Sequence, residues 1–125
     1  MTRLPGSPRQ ILVVEDDGLI AMHMQEMLED GGYEVPETFS SGEEVIAYLD
    51  QAPIPDLILM DIRLDGKING LEAAQRIRRR FTIPIIFISG NVDRELIPPV
   101  GTMRGSLTKP FSRKDLFDAI GQALS

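Results

Sequence analysis

Three short apolar runs limit what this chain can become: ILVV at 11–14, LILM at 57–60 and IPIIFI at 83–88. None alternates polar with apolar residues. A strand with one wet face would show that alternation, so each run reads as a strand covered on both faces, the habit of parallel sheets. Between the runs lie segments with helical spacing. One extends from about Asp17 to Asp30 and stops at Gly31-Gly32. A second starts behind Ser40-Ser41, with Glu43 and Glu44 placed as capping-box partners, and turns Val45, Ile46 and Leu49 inward. A third begins near Gly70 and puts Leu71, Ala74, Ile77 and Phe81 on one stripe. The last opens with Ser112, has Asp115 three residues on, and presents Leu116, Phe117, Ile120, Ala123 and Leu124 on one face. Weaker strands fit at Glu34–Phe39 and Met103–Thr108. Strand and helix thus alternate, which predicts an α/β fold with a parallel sheet and right-handed crossovers.

In a parallel sheet all strands end at one edge, and ligands bind in the crevice there. The residues that follow each strand therefore matter most. After ILVV come Glu15, Asp16 and Asp17; after LILM comes Asp61; after IIFI comes Ser89; after GSLT come Lys109 and Pro110. Groups distant in sequence are expected to converge on one shallow pocket. Asp17 fits a helix cap better than a site residue.

The charge of that pocket selects its chemistry. Glu15, Asp16 and Asp61 supply three negative charges and Lys109 one positive, a net of −2. Two carboxylates ~5 Å apart at an effective dielectric of ~20 repel by ~3 kcal/mol, so three need a compensating cation. Oxygen ligands without His or Cys favour Mg²⁺, which keeps several waters and accepts a phosphate oxygen. A metal-flanked carboxylate beside a hydroxyl and a lysine suits phosphoryl transfer. Asp61 would attack in line and become an acyl phosphate. The metal and Lys109 would neutralise the moving phosphoryl group, and Ser89 would donate a hydrogen bond to it.

The motifs ILVVEDD, LILMD, IIFISG and LTKPF, in this order and spacing, resemble the receiver domain of two-component response regulators. The resemblance covers about residues 10–124 and implies a flavodoxin-like, doubly wound five-stranded parallel sheet of order 2-1-3-4-5. It implies that Asp61 is the phosphoacceptor, Asp16 a direct Mg²⁺ ligand, Glu15 a ligand through water, and the Arg63 carbonyl a backbone ligand. Ser89 and Lys109 would contact the phosphoryl group, and the bond before Pro110 would be cis. The implied donor is a histidine kinase or a histidine phosphotransfer protein. The chain would catalyse its own phosphorylation and dephosphorylation as a signalling domain, not as an enzyme acting on other substrates.

Three features depart from the family pattern. The stretch from Asp61 to Gly70 is one residue longer than usual, with Asp65 where a proline is common. Ser106 stands where an aromatic switch residue is usual. The connection from Ser89 to Lys109 is short and holds Pro98-Pro99, Gly101 and Gly105. With GLEAA and TKPFS, this pattern resembles receivers that work with HWE-class kinases. Only about Val92 to Ile97 has room for a helix before the prolines. A short or absent helix is expected between the fourth and fifth strands, with a mobile segment from Asp93 to Arg104. Partner recognition would then fall on the first and last helices.

Other functions fit less well. With 125 residues and a net charge of −6, the chain is one domain and a poor binder of nucleic acid. No run approaches the roughly 20 apolar residues of a membrane span, and the absence of cysteine fits a reducing cytoplasm. Residues 1–9 read as a flexible tail and 10–125 as the domain. A phosphatase of the haloacid-dehalogenase kind needs an acid two residues after its nucleophile, where Arg63 stands. His23 reads as a helix surface residue, Arg76 and Arg78–Arg80 as a solvated face, and Met22, Met24 and Met27 as core. The expectation is a receiver acting alone, as monomer or weak dimer, that signals by binding a downstream protein or drains phosphate from a kinase.

Overall fold

The computed structural model describes residues 7–90 and 103–125. Its strands are β1 (Ile11–Val14), β2 (Thr38–Phe39), β3 (Leu57–Asp61), β4 (Ile85–Ser89) and β5 (Met103–Thr108). They form one sheet of order β2-β1-β3-β4-β5, parallel throughout. Among the described residues the helices are α1 (Gly18–Asp30), α2 (Gly42–Leu49), α3 (Gly70–Arg78) and α4 (Arg113–Leu124).

Side chains alternate across a strand, so the apolar runs divide between two cores. Leu12, Val14, Ile58, Met60 and Phe87 meet Val45, Leu49, Ala73, Ala74 and Ile77 of α2 and α3. Ile11, Val13, Leu57, Leu59, Ile86 and Ile88 meet Ala21, Met24, Leu28, Leu116, Ile120 and Ala123 of α1 and α4. Removing both faces from water is why the runs carry no polar alternation. Each such side chain contributes roughly 1.5–3 kcal/mol on burial.

Polar residues set the helix starts. The Asp17 carboxylate accepts from the N–H groups of Leu19 and Ile20, Ser41 from Glu44, and Asn69 from Glu72. Ser112 and Asp115 complete a reciprocal capping box. These bonds satisfy N–H groups that have no partner within the first turn.

Several expectations need correction. Glu34–Phe39 is not one strand. Pro36 lacks the N–H that a ladder requires, so β2 keeps Thr38–Phe39 and an isolated bridge joins Gln10 to Glu34. The fourth strand starts at Ile85 rather than Ile83, and the third includes Asp61 itself. Met24 is core, but Met22 is half exposed. Glu44 alone meets the cap at Ser41, while the Glu43 carboxylate leaves α2 and accepts from the Lys67 N–H at 2.9 Å. The expected short helix and mobile segment between β4 and β5 lie largely outside the described residues, as does most of the N-terminal tail.

Candidate functional site

Four strand ends build the site. Asp61 closes β3 opposite Ile88 of β4, so the ladder that fixes the core also fixes this carboxylate. Behind it, Gly70 packs so tightly that a Cβ there would fall 2.0 Å from the Asp61 carbonyl oxygen. Glu15 follows β1 and its N–H donates to the Phe39 carbonyl at 2.8 Å. Lys109 follows β5 and its N–H donates to the Ser89 carbonyl at 2.8 Å, just before a cis bond to Pro110.

The side chains converge. Lys109 Nζ donates to Asp61 Oδ2 at 2.6 Å and to Glu15 Oε2 at 3.3 Å. The Arg63 N–H donates to Asp61 Oδ1 at 2.9 Å, so both oxygens of Asp61 are held. Carboxylate oxygens of Glu15, Asp16 and Asp61 lie within 4.8 Å of one another. Glu15 and Asp61 are buried and Asp16 is exposed. Ser89 is buried at the next strand end.

Crowding has an electrostatic consequence. Burial first, and then the hydrogen bond and charge of Asp61, push the Glu15 carboxyl up to about 8 against the pull of Lys109. Burial works against the Lys109 ammonium, but Asp61 and Glu15 more than offset it and hold its pKa above the ordinary lysine value. Burial and the neighbouring Asp61 together outweigh the lysine at Glu15.

The donor set fits a hard divalent cation. It consists of oxygen atoms only, and one lysine leaves it a net charge of −2 when all three acids ionise. The Ser89 hydroxyl is buried and has no hydrogen-bond partner among the described residues. Buried hydroxyls are nearly always satisfied, so this one fits a group that is bound only during function.

The sheet order, the acid cluster and the lysine before a cis proline define a class of protein. The chain belongs to the response regulator receiver domain family, whose pattern matches residues 11–121. It is 36% identical over 121 residues to the transcriptional regulatory protein PdtaR of Mycobacterium tuberculosis, covering 94% of this chain and 58% of that one. It is 31% identical over 115 residues to the phyllosphere-induced regulator PhyR of Methylorubrum extorquens, covering 92% of this chain and 43% of that one. The chain thus spans about half the length of these relatives. The receiver domain of Erythrobacter litoralis PhyR superposes with a TM-score of 0.82 at 27% identity, covering 94% of this chain and 91% of that one.

Of the residues singled out by sequence, Glu15, Asp16, Asp61 and Lys109 form one cluster, and Arg63 touches it through its N–H. His23 is exposed on α1 and is not among the clustered acidic ligand groups. Arg76 pairs with Glu72, and Arg80 pairs with Asp50 and lies over the Phe81 ring. Sequence reasoning does not reach the contact of Glu43 with the loop after β3, because it links residues 24 apart. The extra residue between Asp61 and Gly70, and Gly66 within it, were the available signals.

Proposed function

We propose that Asp61 accepts a phosphoryl group from a phosphohistidine on a histidine kinase or phosphotransfer protein in a Mg²⁺-dependent reaction. The observation that carries this reading is a buried carboxylate held at both oxygens, beside two further acids and a lysine. Glu15, Asp16, Asp61 and the Arg63 carbonyl would hold the Mg²⁺. When bound, the metal supplies positive charge that screens these acids and the phosphoryl oxygens.

The remaining chemistry belongs to the chain. Arg63 N–H and Lys109 fix the Asp61 carboxylate for in-line attack. An Asp61 oxygen forms a bond to phosphorus as the bond from phosphorus to the donor's ring nitrogen breaks. The ring, protonated at its other nitrogen, leaves neutral. Lys109 neutralises the transferred group and the Ser89 hydroxyl donates to it. Hydrolysis of the acyl phosphate at the same site returns the resting state.

The product adds roughly −1.5 to −2 of charge beside Glu15 and Lys109. Signalling would proceed by protein binding, or the chain would serve as a phosphate sink. Leu19 and Met22 lie exposed on α1, the helix that follows Asp16 in the chain, and suit contact with a protein partner. Among the described residues no helix is long and apolar enough to cross a membrane. Taking phosphoryl groups from a histidine kinase would put the protein in the cytoplasm.

The test is direct. After treatment with acetyl phosphate or a phosphorylated kinase, mass spectrometry is expected to find one modification, at Asp61, and none in Asp61→Asn. Full, stable labelling of Asp61→Asn would end this reading.

A further inference from the structure

The loop from Ile62 to Asn69 carries the Arg63 backbone and is braced by a helix from across the sheet edge. The Glu43 carboxylate on α2 accepts from the Lys67 N–H at 2.9 Å. Ser41, the cap of the same helix, forms a parallel bridge with Asp65. Gly66 has φ +101°, and a Cβ there would come within 2.8–2.9 Å of both Glu43 oxygens. The bare backbone of Gly66 lets the carboxylate lie flat against the loop. Backbone N–H donation, from Lys67 foremost, holds the Glu43 carboxyl below the usual carboxylate range. Ile68 then enters the core against Gly42, where a Cβ would meet it at 3.1 Å.

These contacts all reach the segment that contains the extra residue and lacks the usual proline. An unbraced, lengthened loop samples more conformations, and fixing it costs entropy at the moment of binding. We infer that Glu43 is a positioning residue. By clamping Gly66 and Lys67 it preorganises the Arg63 backbone, and so sets the affinity of the acid pocket for a divalent cation. This rests on the metal-dependent phosphoacceptor reading above. Groups that orient metal ligands from behind typically change affinity by about 10–100-fold when removed.

Two measurements on the full chain decide it: Mg²⁺ affinity by titration calorimetry, and amide exchange at Lys67 in metal-free protein. Glu43→Ala is expected to weaken Mg²⁺ binding roughly tenfold and to speed exchange at Lys67. Glu43→Gln keeps an acceptor oxygen and is expected to restore most of both. Glu44→Ala removes an acid from the same helical turn that bonds Ser40 and Ser41 instead; it is expected to leave both readouts at the parent level. Gly66→Ala is expected to mimic Glu43→Ala, and the double variant to be no worse than either single one.

Parent-like Mg²⁺ affinity in Glu43→Ala would overturn the inference, as would an equal loss in Glu44→Ala. If the parent itself bound no Mg²⁺, the phosphoacceptor reading would fail separately. The clamp would then stand or fall on exchange at Lys67, with unchanged exchange in Glu43→Ala rejecting it.

Discussion

Burial and crowding act most strongly on Glu15. Its folded pKa of about 8 lies above the ordinary value of 4.5. Between these values the folded metal-free protein holds a proton that the unfolded chain has lost, so stability falls as pH rises. The contribution is complete below about 4.5 and gone above about 8. Urea denaturation in EDTA should therefore show a steeper decline across this window for the parent than for Glu15→Gln. Coincident slopes would contradict the crowding described here. Lys109 provides the complementary test, since its side chain is the cation bonded to two buried acids. Lys109→Ala should lower metal-free stability by about 3 kcal/mol, the low end for breaking a buried pair, because the Lys109 side chain is one-third exposed and Glu15, already protonated at neutral pH, adds little repulsion. It should still bind Mg²⁺ yet fail to propagate the effect of phosphorylation. A loss under about 0.5 kcal/mol would place Lys109 among ordinary surface ion pairs.

Helices and strands meet the site through backbone contacts that side-chain chemistry cannot replace. The N-terminus of α3 lies against the end of β3, with the Gly70 N–H donating to the Ile62 carbonyl at 2.8 Å. No side chain fits there. Gly70→Ala must push α3 away from Asp61, at a cost of about 1–3 kcal/mol by overpacking. Phosphorylation should slow with it, because the turn bearing Arg63 lies between the two elements. Unchanged urea stability of Gly70→Ala would show that the contact is looser than described. At the far end of the chain, the Ser112–Asp115 box starts α4, whose apolar face completes one core. Ser112→Ala should cost about 1 kcal/mol and leave metal binding alone. Equal stability of Ser112→Ala and parent would show the cap to be idle.

At the scale of the whole molecule, the proposed Mg²⁺ site would link metal, fold and charge. A ligand that binds only the folded state stabilises it by about 2.7 kcal/mol at a hundred times its Kd. Saturating Mg²⁺ should therefore raise the melting temperature of the parent. Asp16→Ala should lose that response and accept no phosphoryl group, while its metal-free form is at least as stable as the parent. Asp16 is exposed, so relief of repulsion adds only a little. An undiminished Mg²⁺ shift in Asp16→Ala would remove this residue from the ligand set.

Much of this was determined by the sequence alone, because the physics involved is local. Four-residue apolar runs without alternation report two-sided burial, whatever covers them. Asp17, Ser41, Asn69 and Ser112 cap helices through bonds spanning three residues. The strand-end rule brings Glu15, Asp61 and Lys109 together without any knowledge of distance. Tertiary structure decided what depends on contacts remote in sequence. Pro36 cuts β2 down to two residues because its neighbour β1 finds no donor there. Ala73 became core only when α2 packed across it. Glu43 and Glu44 are chemically identical and adjacent, yet one caps its own helix and the other clamps the loop after β3. Which does which depends on where the Lys67 N–H lies, and only the folded chain fixes that.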